Sequence, residues 1–342
     1  MIIREILVEP QAIAWLPWAV SYFFFIGLAC SSVLTAFFFH FIKNLRLELL
    51  ALSLAFSCAI VAPIALTADL HQPGRIMNFY LNPTIWSWMY WGAWFLPFFV
   101  LSVAGYFLCS LRTSVPMQSI PKYFHWLYWG KFNTDLIKVF FVWLSLIMTI
   151  LILMYTTMEV FTVQARPLWH HTWLLPLLVF SVLPVSLLFC HYFIPQVYAL
   201  RYFTIASLLG LTVSILGLYL FSEQTAIHLM KLWQISYSPM LLLIGIFVLF
   251  ILLLLPHSTF LRLLRILTAL CITWLTRWIL LIEVQQIAKY NALVNPYQLS
   301  WNVDGLIGMI AVFSLWLLVD IILWQLLSHT LLQSNLGRKD HE

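Results

Sequence analysis

Apolar residues run along this chain in long unbroken blocks, separated by short polar and aromatic joints. Nine blocks reach spanning length, at about 15–42, 46–68, 86–110, 135–158, 173–194, 198–221, 239–256, 262–284 and 304–327. A helix that crosses a bilayer needs about 20 apolar residues. The blocks are continuous rather than alternating, so they predict helices and not barrel strands. Backbone polar groups find no water inside lipid, which selects helices again. The seventh block is the shortest and could extend toward Met230. The expected fold is an all-α integral membrane protein, a single polytopic domain over 1–342 with nine transmembrane helices.

Composition sharpens this reading. The chain has 342 residues, 63% hydrophobic and 8% charged, where a soluble domain carries about 25% charged residues. Little room is left for a soluble domain. A net charge of +5 is too small and too dispersed to point to nucleic acid. Cys30, Cys58, Cys109, Cys190 and Cys271 all lie within apolar blocks and form no CxxC pair. That argues against iron–sulfur ligation, structural zinc and a disulfide framework. The first residues, MIIREILVEPQAIAW, carry one arginine and two glutamates before an apolar run. That run exceeds the ~7–15 residues of a signal h-region, so the first helix is expected to stay.

Charge then sets the direction. The N-terminus and the loops after helices 2, 4, 6 and 8 hold Arg4, Arg75, Arg166, Lys231 and Lys289, five basic residues. The other loops and the C-terminus hold eleven, among them Lys43, Arg112, Lys138, Arg201 and Arg265. The positive-inside rule puts the richer set in the cytoplasm, with the N-terminus outside. Three acids end helices on the outer side, Asp69, Glu159 and Glu283, each followed six or seven residues later by Arg75, Arg166 or Lys289. Met158-Glu159-Val160 echoes Ile282-Glu283-Val284. The echo suggests two four-helix bundles (about 15–158 and 173–284) and a ninth helix at 304–327, although biased composition could produce it by chance.

The chemistry concentrates at Ala68–Trp94, ADLHQPGRIMNFYLNPTIWSWMYWGAW. Charge at a membrane helix exit usually has a use. Asp69 and His71 can titrate in the range that a proton transfer needs. Pro73 restricts Gln72 and ends the helix, which fixes where they point. Trp86, Trp88, Trp91 and Trp94, with Trp15, Trp18 and Tyr22, fit an interfacial belt; a flat quinone ring among them is the sharper reading. Arg277 lies about two turns inside its helix, and six residues on, Glu283 is on another face. Arg277 therefore needs a partner from a different helix, for which Asp69 or Glu159 would serve; a structural ion pair is the plainer alternative. Haem would need two facing histidines. Only His40 and His191 suggest a pairing, at helix ends. Asp320, in the last helix, reads as a helix contact or part of a proton path.

Asp69-Leu70, Pro73, Arg75, Trp86-Ser87-Trp88-Met89 and Trp91-Gly92-Ala93-Trp94 resemble the signature of NrfD-like membrane subunits, the polysulfide reductase membrane-anchor family. Trp15-Leu16-Pro17-Trp18, Ala165-Arg166-Pro167, Arg277-Trp278-Ile279 and Asn295-Pro296-Tyr297 extend the likeness from the first helix to the last. Where many members have Gly-Arg before the proline, this chain has His71-Gln72. The resemblance implies a haem-free quinol dehydrogenase in a bacterial inner membrane, N-terminus periplasmic and C-terminus cytoplasmic. It would anchor a periplasmic iron–sulfur subunit and a molybdopterin catalytic subunit. Menaquinol would be its substrate, with neither haem nor an iron–sulfur cluster in this chain. Asp69, His71 and Glu159 are then the expected catalytic groups, and Tyr22, Arg75, Trp91, Arg166 and Arg277 the expected quinone-binding ones. The anchor of a related polysulfide, thiosulfate or other molybdoenzyme reductase, a secondary transporter with outer-face acids and a passive anchor are the competing readings. Against the transporter, the sequence offers no paired Gly/Pro-broken helices.

Overall fold

In a computed structural model of the chain, residues 12–70, 72–82, 84–117, 122–131, 133–256, 258–288 and 294–336 are described. His71 and Lys289 lie outside them. Ten long helices carry the fold: α1 Pro17–Phe41, α2 Leu45–Asp69, α3 Trp88–Ser114, α4 Thr134–Phe161, α5 Leu174–Phe193, α6 Ala199–Leu220, α7 Glu223–Ile235, α8 Ser238–Leu254, α9 Thr259–Trp278 and α10 Leu306–Leu336. Shorter turns fill the joints, notably Pro73–Arg75, Asn78–Leu81 and Lys122–Tyr128. The described residues hold no strand, only an isolated bridge between Ile287 and Val294.

Local chemistry starts these helices. Pro17 opens α1, where its missing N–H costs nothing. Asn44, Asn133, Ser222 and Ser258 each accept a backbone N–H at the start of α2, α4, α7 and α9. The tight link from α1 to α2 puts Lys43 in the left-handed region, at φ 58°. Three prolines, Pro63, Pro97 and Pro184, sit inside helices that continue through them. α9 continues through a π-helical segment, Ile279–Glu283, to Gln286.

Eight helices are long and apolar enough to span a membrane, and nine spans result if α7 and α8 count as one. The axes of α7 and α8 differ by 96°. The seventh block therefore does not run straight back to Met230. Ser236 is extended at the junction and Pro239 starts the new helix. Among the described residues this is a single bent pair, with no matching break in the other half of the chain.

α1 is the central element. Of its most apolar window, 83% is buried, against 17% for α10. It packs on α2, α4, α5, α9 and α10. Phe24 and Phe25 meet Trp274 of α9 and Phe313 and Trp316 of α10 edge-on or tilted, which suits aromatic quadrupoles. α1 thus touches both halves of the chain. The membrane end where α1 begins is called the near face; the other is the far face.

Candidate functional site

At the near-face end, α2, α3 and α4 enclose a cavity of about 460 Å3. α2 lines it with Pro63, Leu66 and Thr67, and α3 with Gly92, Leu96 and Pro97. An interior proline deletes one helical hydrogen bond and bends its helix, and both of these border the space. Tyr80, on the turn Asn78–Leu81, also faces it and is pinned to α3 by donating to Ala93 O at 2.9 Å. Leu101 lines the cavity yet is 64% exposed, so the mouth opens on the lipid-facing surface.

Polar character enters from α4. Tyr155 and Glu159 both line the cavity. They stand four residues apart, neighbours on one helix face, with the Tyr155 phenol in interaction range of the Glu159 carboxyl. The Tyr155 ring lies against Gly92, where a Cβ would come within 2.2 Å of it. Glycine in Trp91-Gly92-Ala93-Trp94 therefore makes room for a tyrosine on another helix. Glu159 Oε2 is shut off from solvent without a hydrogen-bond partner, as is the hydroxyl of Tyr22 on α1. Asp69, at the end of α2, and Tyr22 lie within electrostatic reach of Glu159. α4 thus puts one carboxyl and one phenol in the wall of an apolar cavity, and α1 and α2 bring Tyr22 and Asp69 close to that carboxyl. Bonding capacity left open in a buried site invites a ligand with hydroxyls.

The other expected residues lie elsewhere. Arg75 is exposed beside a shallow depression of Gln72, Asn78, Asn82 and Thr84. Trp91 donates to Ile85 O at 3.0 Å and stacks on Phe95, and it is not among the cavity-lining residues. Arg166, in the loop after α4, donates to Ile287 O at 3.2 Å, to Gln285 O at 3.3 Å and to Val284 O. Burial lowers its guanidinium to about 10, still protonated at neutral pH. It covers the ring of Trp169 at 5.1 Å, which stacks in turn on Trp15.

Arg277 corrects the sequence reading. Its guanidinium donates to Leu178 O at 2.8 Å and to Ser181 Oγ, both on α5, rather than to Asp69 or Glu159. Gly27 leaves it space, since a Cβ there would stand 3.1 Å from Nη2. Backbone carbonyls are strong acceptors, and sequence pattern does not reveal them. Glu283 accepts from Ser236 Oγ at 2.8 Å, toward the α7–α8 junction and away from Arg277. Asp320 lies in interaction range of Ser57 of α2, a helix contact that Trp316 Nε1 strengthens by donating to Ser57 Oγ at 3.2 Å.

Size alone does not select the site. A second cavity, about 480 Å3, lies among α5, α6, α7, α8 and α9, and no acid is among its lining residues. Two groups escaped the sequence reading. Tyr155 had a signal, one turn before Glu159. Glu48, near the start of α2, is fully buried and held by groups from α1, α3 and α4; those partners are scattered in sequence and gave none.

Residues 7–289 match the family model described as polysulphide reductase, NrfD. The chain is also 36% identical to a tetrathionate reductase subunit of Salmonella typhimurium, over 96% of each chain.

Proposed function

As the chain belongs to the polysulphide reductase NrfD family, we propose that it is the membrane anchor and quinol dehydrogenase subunit of a respiratory complex like tetrathionate reductase. The observation that carries this is the cavity with Tyr155 and Glu159 in its wall and Asp69 close by. Its apolar walls suit a menaquinol ring. The Tyr155 and Glu159 side chains in its wall suit the quinol hydroxyls.

Oxidation removes two protons and two electrons from the quinol. Glu159 takes one proton, and Asp69 with His71 takes the other toward the near face. Tyr155 holds Glu159 in place and donates to whichever form the acid adopts. Arg277 shares a small void with Gly27 and Thr156, about one turn along α4 from Glu159. In that place it supplies a fixed positive charge that steadies carboxylates formed in turnover. Arg166 fixes the loop over the end of α9. The electrons leave to an iron–sulfur subunit docked on the near face, taken as periplasmic, and pass on to a molybdopterin subunit where the terminal acceptor is reduced.

The test is quinol oxidation by the purified complex. Asp69→Asn and Glu159→Gln should assemble with the partner subunits and lose turnover. Wild-type rates in both variants would sink the assignment. Failure to co-purify with iron–sulfur and molybdopterin subunits would turn the choice toward a transporter.

A further inference from the structure

The second cavity, about 480 Å3, has no part in the quinol reading. α7 borders it at the near face with Leu229, Leu232 and Trp233. Leu216 of α6 and Leu243 of α8 line it as well, and both are exposed, so its mouth opens toward lipid between those two helices. α7 stands at 96° to α8. A helix square to a spanning helix lies along the membrane plane, at the level of lipid head groups. Lys231 projects there, exposed.

A smaller and more polar hollow, about 160 Å3, adjoins the cavity. Leu168 and Val284 line both spaces. The smaller one contains Arg166 and His228. A guanidinium has five N–H donors. Arg166 spends three of them, from Nη1 and Nη2, on Val284 O, Gln285 O and Ile287 O. Nε–H and one Nη2 hydrogen have no acceptor among the described residues. His228 uses Nδ1 on Gln224 O of its own helix at 2.8 Å. A carbonyl only accepts, so that nitrogen carries the proton and Nε2 is left to accept a hydroxyl or, once protonated, to donate. Glu283 accepts from Ser236 Oγ and is not among the lining residues of either space.

A polar hollow with a fixed cation, joined to an apolar cavity open to lipid, matches an amphiphile with an anionic head. Guanidinium groups take phosphate oxygens in strong charge-assisted hydrogen bonds. A free phosphate ion would fill only the smaller space, and a quinone would leave the positive charge unanswered. We propose that one anionic phospholipid of the near-face leaflet binds here, its phosphate on Arg166, a head-group hydroxyl on His228 and an acyl chain in the apolar cavity. Bound in this way, the lipid ties α7 to the Arg166 loop and to the end of α9. The site is independent of quinol chemistry.

The experiment uses the whole complex in detergent and a phosphatidylglycerol with a diazirine in one acyl chain. After illumination, labelled peptides are read by mass spectrometry. The expected result is labelling within residues 212–219 or 239–243, stronger than with the same diazirine on phosphatidylcholine. His228→Glu sets a carboxylate beside Arg166 on a partly exposed helix, and should lower the labelling about tenfold, the worth of about one hydrogen bond to a charged group. Unlabelled phosphatidylglycerol should raise the melting temperature of the wild-type complex and not that of His228→Glu, as a ligand of the folded state does. Equal labelling by phosphatidylcholine, or unaltered labelling in His228→Glu, overturns the proposal. So does displacement of the probe by inorganic phosphate together with an unlabelled cavity, which would leave only an ion site. Labelling of the cavity by a diazirine menaquinone and not by phosphatidylglycerol overturns it too, and gives the cavity to a quinone.

Discussion

A methyl group on Gly92 would stand inside the ring of Tyr155. In Gly92→Ala that ring has to turn, taking its hydroxyl from Glu159 and filling part of the cavity. Overpacking of this kind costs about 1–3 kcal/mol. We expect the variant to assemble with a lowered melting temperature and a raised KM for quinol; an unchanged KM would mean that the ring does not border the substrate. Glu159→Gln keeps the shape and removes the proton acceptor. Its turnover should fall by about 10²-fold or more, the usual worth of a positioned general base, as measured by steady-state quinol oxidation. Legibility at this scale was uneven. Glu159 stood out because an acid ending an apolar block is costly. The reach of Arg277 did not, because Leu178 O is a backbone atom that every residue has. Glu48 lies in the first turn of α2, where the dipole favours an acid, so its position carried no signal.

Elements add constraints that no side chain carries alone. α9 ends under the loop that bears Arg166, whose guanidinium accounts for carbonyls of Val284, Gln285 and Ile287. Hydrogen bonds to a charged group are worth about 1.5–3 kcal/mol each. Arg166→Gln should therefore lower the melting temperature of the complex and loosen this end of α9, seen as faster amide exchange at residues 284–288. Equal exchange in variant and wild type would refute that role. Block boundaries in the sequence located most helices closely, since lipid allows few alternatives. The seventh block began at 239, just past the break, while α7 before it was not legible, because Glu223, Gln224, His228 and Lys231 dilute its apolar residues. The π-helical turn before Glu283 was hidden as well, being a change of hydrogen-bond register rather than of composition.

For the whole molecule, the alternation of loops yields a direct test. Arg46 and Thr84 are both exposed, one at the far face and the other at the near face. In inverted and right-side-out vesicles, Arg46→Cys and Thr84→Cys should react with an impermeant maleimide from opposite sides, Thr84→Cys from the periplasmic side. Labelling of both from one side would overturn the orientation. The helical class and the resemblance were readable because composition and one motif sufficed. The choice between two cavities of similar size was not, since only the packing of α4 on α3 puts an acid in one of them.

Leu101 stands at the mouth of that cavity with most of its surface facing hydrocarbon. A substrate that enters there comes from the plane of the bilayer, and its concentration is counted per lipid rather than per litre. The bilayer is then the reservoir, and a KM referred to bulk solution is in large part a partition coefficient. Inert phospholipid added at fixed total quinol should raise the apparent KM in step with the lipid and leave kcat where it was. A tail that stays among lipid chains contributes to that partition and adds nothing to recognition, so quinols of different tail length should share one kcat.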